Sequence, residues 1–223
     1  MPDIADFLDQ FGQLLAQGIL DTLAMVFVST AIAYVFGTAL GVILHLTAPD
    51  GLRPRPVLNA VLGWVVNIGR SLPFIILLIA LMPATTALVG TSTGVVGVIP
   101  PLVVSTVPFV ARMVEQSLAE VSRDAVEAAE ACGASIPRIV WSALLPEALP
   151  SIVRGVAVTL IAVLGYTAIA GAVGAGGLGD IAIRYGYYRY EDQMMVVTVV
   201  LLVVLVQVIQ SVCNIIARRV DHR

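Results

Sequence analysis

Long stretches of this sequence carry no charged residue, and they constrain the fold more than any other feature. The longest covers residues 71–111, and three others cover 22–48, 155–179 and 193–217. A helix of about 20 apolar residues is long enough to cross the hydrocarbon core of a bilayer. A soluble domain has about 25% charged residues, whereas this chain has 12%. The sequence therefore predicts an integral membrane protein.

Five membrane-spanning helices are predicted within an all-α transmembrane domain over residues 19–217. The run 71–111 is too long for one helix, and Pro83, Gly90 and Gly94 divide it. Backbone groups in lipid must be hydrogen-bonded within their own segment, so each span is a helix. The predicted spans are residues 22–48, 58–82, 94–113, 155–175 and 193–217, followed by a short tail at 218–223.

The arginines predict the orientation of these spans. Two lie in the loops on one side of the predicted membrane and nine on the other, with Arg70 left inside a span. Because basic residues are enriched in cytoplasmic loops, we expect the N-terminus outside the cell and the C-terminus in the cytoplasm. The predicted location is the inner (plasma) membrane.

Residues 1–18 form an amphipathic segment. Its apolar residues recur at helical spacing, with Asp and Gln between them. One interpretation is a helix that lies in the outer interface of the membrane. The alternative is that this segment is simply the beginning of the first span.

All 12 basic residues are Arg, and the chain has no Lys. Without Lys the chain has no G-x-x-x-x-G-K-[ST] phosphate-binding loop, so nucleotide hydrolysis by this chain is not expected. The net charge of −3 argues against a nucleic-acid partner. The isolated Cys and His residues predict no metal site, and no catalytic set is present.

The longest polar segment, residues 114–154, carries signals for two helices. Ser122 can cap a helix that begins at Arg123, and Gly133 can close it with a left-handed turn. Ser135 can cap a second helix, which Pro146 and Pro150 are expected to end before the fourth span. The exposed acids and small residues suit a basic protein partner. An amphipathic loop lying on the membrane remains the alternative.

The same segment resembles the EAA loop of permease subunits of bacterial ABC importers. The resemblance rests on seven residues: Glu127, Ala128, Ala129, Gly133, Ala134, Leu145 and Pro146. It implies the type I importer permease fold and a coupling helix that docks on a separate ATPase. ATP and Mg²⁺ would then be bound by that partner, and this chain would bind no cofactor. Ala143 departs from the family pattern, which prefers Ile there.

Further segments resemble the permeases of methionine importers in particular. They are Arg70-Ser71-Leu72-Pro73-Phe74, the stretch 144–150, the stretch 165–179 and Tyr185-Gly186-Tyr187-Tyr188. The resemblance covers the chain from about Gly18 onward and implies methionine, including its D isomer, as substrate. Another amino acid or a small oxyanion such as phosphonate is the alternative substrate.

Polar side chains within the spans predict the translocation pathway. Prolines in spans two and three break helical hydrogen bonds, which is tolerated beside protein or a water-filled cavity. Arg70 either binds an anionic group or pairs with carbonyls or a neighbouring subunit. The candidate lining residues are Asn67, Arg70, Ser71, Ser105, Thr106, Thr159, Tyr166 and Thr167.

The stretch 174–179 matches G-x-G-x-x-G. That pattern binds dinucleotides only when it joins a strand to a helix, and here it ends a predicted span. The glycines either allow close helix packing or form an outer gate. The gate candidates are Ile169, Gly174, Gly176 and Gly177.

The leading hypothesis is therefore the permease subunit of an ATP-driven importer. Its expected partners are a second copy of itself, two ATPase subunits, an outer substrate-binding protein and membrane lipid. An ion-coupled carrier working alone is the less favoured class, because such carriers place carboxylates within their spans.

Overall fold

The protein is described by a computed structural model covering residues 4–220. These residues form helices joined by short connections and contain no strand. The long helices are α1 (Ile4–Thr47), α2 (Pro56–Ser71), α3 (Phe74–Val89), α4 (Gly94–Ala119), α7 (Leu145–Ala170) and α9 (Asp192–Val220). The short ones are α5 (Arg123–Ala131), α6 (Ile136–Ile139) and α8 (Gly177–Ile181). Within this range the predicted all-α class is confirmed.

Four of the segments are long and apolar enough to cross a membrane. They are Asp9–Thr47, Gly94–Ala119, Ile136–Val173 and Asp192–Arg219. The bent pair α2 and α3 brings the number to five if it counts as one span. The predicted spans 94–113 and 193–217 lie within these segments. The predicted spans 22–48 and 155–175 run one and two residues past the C-terminal ends of theirs, which begin earlier than predicted.

The predicted span 58–82 is not one straight helix. α2 ends at Ser71, α3 begins at Phe74, and the chain bends by 104° between them. Leu72 is extended, with ψ 125°, because a residue that precedes proline is pushed out of the helical region. Pro83, in contrast, stays inside α3.

The predicted N-terminal segment is not separate from the first span. Within the described residues α1 runs without a break from Ile4, and residues 1–3 of the segment lie outside them. Phe7 and Leu15 are buried among Leu178, Ile181 and Met194. Of the two interpretations of this segment, the helix bounds favour the beginning of the first span, with its apolar face packed against the chain itself.

The helices α4 and α7 also reach into the segment that the sequence assigned to a loop. α4 continues to Ala119, and α7 begins at Leu145. The prediction that Pro146 and Pro150 end a helix before the fourth span was wrong. A π turn at Val140–Leu144 joins α6 to α7, and its wider ring lets Leu145 donate to the carbonyl of Val140 immediately before Pro146.

Contacts divide the chain into two compact units to which the long helices contribute different parts. Unit 1 comprises residues 1–30, 73–103 and 160–209, and unit 2 comprises residues 31–72, 104–159 and 210–223. The core described above around Leu178 belongs to unit 1. Unit 2 has its own core, formed by Ala33, Val110, Val114, Leu118, Ile139, Val140, Leu144 and Ala148.

Candidate functional site

The EAA segment, residues 120–146, contains a short helix that is fixed at both ends. Ser122 Oγ accepts a hydrogen bond of 3.2 Å from the amide of Asp124 at the start of α5. At the other end Gly133 has φ +73°, and its amide donates to the carbonyl of Glu130 over 2.8 Å. Both cap positions read from the sequence are confirmed. The predicted cap at Ser135 makes no side-chain hydrogen bond to α6.

One face of α5 anchors it to unit 2, and the other is exposed. Val126 and Ala129 pack with Ala134 against the unit 2 core. No residue of α5 is buried, and Glu127, Ala128, Glu130 and Ala131 are exposed. Leu145 is partly buried and Pro146 exposed. The segment thus presents small and acidic side chains on a fixed support, which lets another protein approach the helix backbone closely.

A cavity of about 550 Å³ lies beside this helix within unit 2. Four carboxylates line it, from Asp50, Glu115, Glu127 and Glu130. Asp50 reaches Arg123 at 3.6 Å, but both side chains are mostly exposed, so the pair adds little stability. The excess of acids makes this cavity suited to basic groups.

The pathway candidates Asn67 and Ser71 lie on the exposed side of α2. Ser71 Oγ donates to the carbonyl of Asn67 over 2.7 Å. Asn67 Oδ1 accepts from Arg112 on α4 at 3.1 Å, and Arg112 also pairs with Glu115 at 2.7 Å. The sequence placed Arg112 at the end of the predicted third span and Glu115 at the start of the polar segment that follows it. Their helical spacing (i, i+3) was the available signal for the pair, but not for the contact with Asn67.

Arg70 has a different environment from Arg112. Its side chain is exposed, and no ion pair with it occurs among residues 4–220. The stretch 51–114 contains no Asp or Glu. Arg70 is thus a cation within the apolar pair α2 and α3 with no neutralising group nearby in the sequence.

The other candidates of unit 2 are buried rather than open. Thr159 Oγ1 donates to the carbonyl of Gly155 over 2.9 Å and lies 3.3 Å from the hydroxyl of Tyr34. Ser105 and Thr106 are buried on α4. Tyr34, on α1, was not singled out from the sequence, where it stands as one aromatic residue in an apolar span.

Tyr166 and Thr167 belong to unit 1. The ring of Tyr166 stacks on Phe74 with centroids 4.8 Å apart. Thr167 Oγ1 donates to the carbonyl of Leu164 over 2.7 Å. The ring of Tyr166 and the hydroxyl of Thr167 thus make local contacts within unit 1, and a role in the pathway stays a prediction.

The glycine segment, residues 171–187, is closely packed around α8, where Gly177, Leu178, Gly179 and Ile181 are buried. Gly174, Gly176 and Gly177 all have φ near +80°, a conformation that favours glycine. The amide of Leu178 donates to Thr22 Oγ1 over 2.9 Å, and a Cβ on Gly177 would lie 2.7 Å from that oxygen. Ile169 is exposed on α7. These contacts favour the close-packing interpretation; the gate stays a prediction.

Within the described residues no group of three or more His, Cys, Asp or Glu side chains could hold a metal ion. The two cysteines are free, with Cys132 exposed and Cys213 buried.

Comparison with known proteins relates this chain to one family and to curated relatives. Residues 37–223 match the family described as "binding-protein-dependent transport system inner membrane component". The "probable D-methionine transport system permease protein MetI" of Vibrio cholerae serotype O1 is 49% identical, over 91% of this chain and 90% of its own. The "methionine import system permease protein MetP" of Bacillus subtilis is 41% identical, over 81% and 82%.

Solved structures of ABC transporters also match this chain. A chain of the MetNI methionine ABC transporter in an inward-facing conformation superposes with a TM-score of 0.94 and 45% identity, covering 96% of this chain and 99% of that one. A chain of an amino acid ABC transporter solved with histidines has a TM-score of 0.80 at 16% identity, covering 98% and 99%, which shows a shared fold.

Proposed function

Because this chain belongs to the family of binding-protein-dependent transport system inner membrane components, we propose that it is the permease subunit of an ATP-driven importer of methionine, including D-methionine. The assignment of methionine as the substrate rests on the similarity to methionine permeases and to the MetNI structure along nearly the whole chain. The chain is a transport subunit, and ATP hydrolysis belongs to a separate ATPase.

Two copies of the chain would form the pathway, since two-fold pairing is the commonest symmetry of oligomers. Two ATPase subunits would dock on the exposed faces of the two α5 helices. The acidic cavity beside α5 supports a basic contact surface on the ATPase. ATP and Mg²⁺ would be held by the ATPase, and a substrate-binding protein would deliver methionine at the outer face.

The EAA segment would convert ATP binding into movement of the pathway. Closure of the ATPase pair would draw the two α5 helices together and switch the pathway from inward-open to outward-open. Driving such an equilibrium from 1:99 to 99:1 takes about 5.5 kcal/mol of differential binding. The anchoring of Val126 and Ala129 in the unit 2 core supports this role, because a loosely tethered helix would not transmit that energy.

The proposed orientation in the membrane rests on the distribution of the arginines between the two sides. The EAA segment would lie in the cytoplasm, where ATP is available, and the start of α1 and the glycine segment would lie outside. The proposed location is the inner membrane, with lipid around the spans. Cleavage of a protease site inserted between Arg123 and Ala131 in inside-out vesicles, but not in intact spheroplasts, would test this.

Reconstitution tests the substrate. The chain is assembled with its ATPase in liposomes containing ATP, with the substrate-binding protein added outside, and uptake of labelled methionine is measured. We expect ATP-dependent uptake that unlabelled L- and D-methionine suppress and phosphonate does not. Absence of competition by methionine would overturn the substrate, and uptake without ATP or ATPase would indicate an ion-coupled carrier instead.

A further inference from the structure

Arg70 is placed where a charge is costly unless it has a function. At about 1.5 Å per residue, it lies roughly 21 Å along α2 from Pro56. This is more than half of the hydrocarbon core, which is about 30 Å thick. Arginine at such a depth costs about 3 kcal/mol when it faces lipid. An exposed Arg70 therefore indicates that this side of α2 faces water or another protein chain.

The structure holds the α2 turn around Arg70 firmly. A Cβ on Gly69 would lie 2.6 Å from Pro108 on α4, so the two helices touch there. Two residues earlier on α2, Asn67 is fixed to Arg112 by the 3.1 Å hydrogen bond. The turn that carries Arg70 thus packs against α4, and the side chain of Arg70 is exposed beside this contact.

Arg112 and Arg70 differ in whether a neighbouring side chain neutralises their charge. Glu115 and Asn67 occupy donors of Arg112. Among residues 4–220 no ion pair engages Arg70, and the surrounding stretch 51–114 contains no carboxylate. Any carboxylate that complements Arg70 therefore comes from outside this stretch.

The opposite case is α9, whose exposed residues between Val199 and Val208 are apolar except for Gln207. Val199, Val203, Val204 and Val208 are exposed there, and residues 193–217 carry no charge. This side of α9 has the composition expected of a surface that faces lipid.

We propose that Arg70 binds the carboxylate of the amino acid while it crosses the membrane. The proposal rests on the proposed function, which supplies an α-carboxylate as the only anionic group of the substrate. A guanidinium pairs with a carboxylate through two parallel hydrogen bonds. Arg70 would thus hold the substrate by the group common to both isomers of methionine, in agreement with an importer that accepts both.

The ratio of methionine imported to ATP hydrolysed tests this role in the reconstituted complex. Hydrogen bonds to charged groups contribute about 1.5–3 kcal/mol, so we expect Arg70→Ala to lower the ratio by about 10-fold or more. ATP hydrolysis stimulated by the loaded binding protein should stay near the wild-type rate. Arg70→Lys keeps the charge but not the paired geometry. Its ratio of methionine imported to ATP hydrolysed should lie between those of the wild type and Arg70→Ala.

Arg55→Ala, which removes an exposed arginine at the other end of α2, is the matched control and should keep the wild-type ratio. If Arg70→Ala also keeps the ratio, or lowers uptake and ATP hydrolysis in proportion, the proposal is wrong. If the wild-type complex itself imports no methionine, the proposed function fails instead.

A second measurement reports where the side chain points. In a chain with both native cysteines replaced by Ser, Arg70→Cys should react with a water-borne anionic methanethiosulfonate, and excess methionine should slow the reaction. Val204→Cys on α9 should be inert. An inert cysteine at position 70 in an assembled complex would overturn the proposal.

Discussion

The EAA segment and the glycine segment both connect long helices, and both include a π turn, at Val140–Leu144 and Ala182–Tyr187. They differ in burial. No residue of α5 is buried, whereas α8 buries Gly177, Leu178, Gly179 and Ile181. The short helix is thus exposed in the EAA segment and closely packed in the glycine segment. Substitutions should therefore change transport in the first and folding in the second.

The largest effect is expected from Gly179→Val. A Cβ at Gly179 would lie 2.6 Å from both Cα and the carbonyl oxygen of Ala168, and backbone atoms have little freedom to move. We expect a loss of about 3 kcal/mol or more of unfolding free energy, measured by denaturant unfolding in detergent. Gly165→Ala on α7, with no atom within 4 Å of its Cβ, is the control. Equal stability of the two variants would show that the glycine segment yields to added volume.

Next is Glu127→Arg on the exposed face of α5. Reversal of this charge should lower ATP-coupled methionine uptake by about 10-fold, or about 1.4 kcal/mol of coupling, through weaker ATPase docking. The melting temperature of the isolated permease should not change. Asp192→Arg, also at an exposed acid, should retain uptake. A fall in permease stability would contradict the assignment of the exposed α5 face to a partner.

The third largest effect is expected from Thr22→Val, which tests the packing of the glycine segment. The change keeps the shape of the side chain but leaves the buried amide of Leu178 without its acceptor. We expect a loss of about 1–3 kcal/mol in the same unfolding measurement. Thr86→Val is the matched control, because Thr86 Oγ1 bonds a carbonyl of its own helix at an exposed position. Equal losses of unfolding free energy in the two variants would show that the hydrogen bond from the Leu178 amide to Thr22 adds no particular stability.

The smallest effect concerns the cap of α5. Ser122→Ala removes the acceptor for the amide of Asp124 and should cost about 1 kcal/mol of helix stability. Amide hydrogen exchange in α5 should become faster, with global stability unchanged. Ser135→Ala should leave exchange in α6 as it was, since Ser135 makes no cap bond there. Faster exchange in both helices would contradict the inference that Ser122 caps α5 through its side chain whereas Ser135 does not cap α6.

The sequence could predict features that depend on neighbouring residues. The Ser122 cap and the Gly133 turn were both readable, because each is set by contacts within a few positions. The pathway candidates were harder to assess. Polarity alone did not distinguish Thr159, which is buried beside Tyr34, from Arg70, which is exposed.

By itself the sequence determined that the chain is helical and lies in a membrane, that its apolar runs are long enough to cross one, and that an ATPase has to come from another chain. Lipid requires local backbone hydrogen bonding, so apolar run length is sufficient for this. Only the tertiary structure decided that α1 packs its first turns on unit 1, that Pro73 bends the chain while Pro146 does not, and that the Leu178 amide is paired with Thr22. These outcomes depend on contacts between residues far apart in the chain, and side-chain shape at such contacts is not encoded in local pattern.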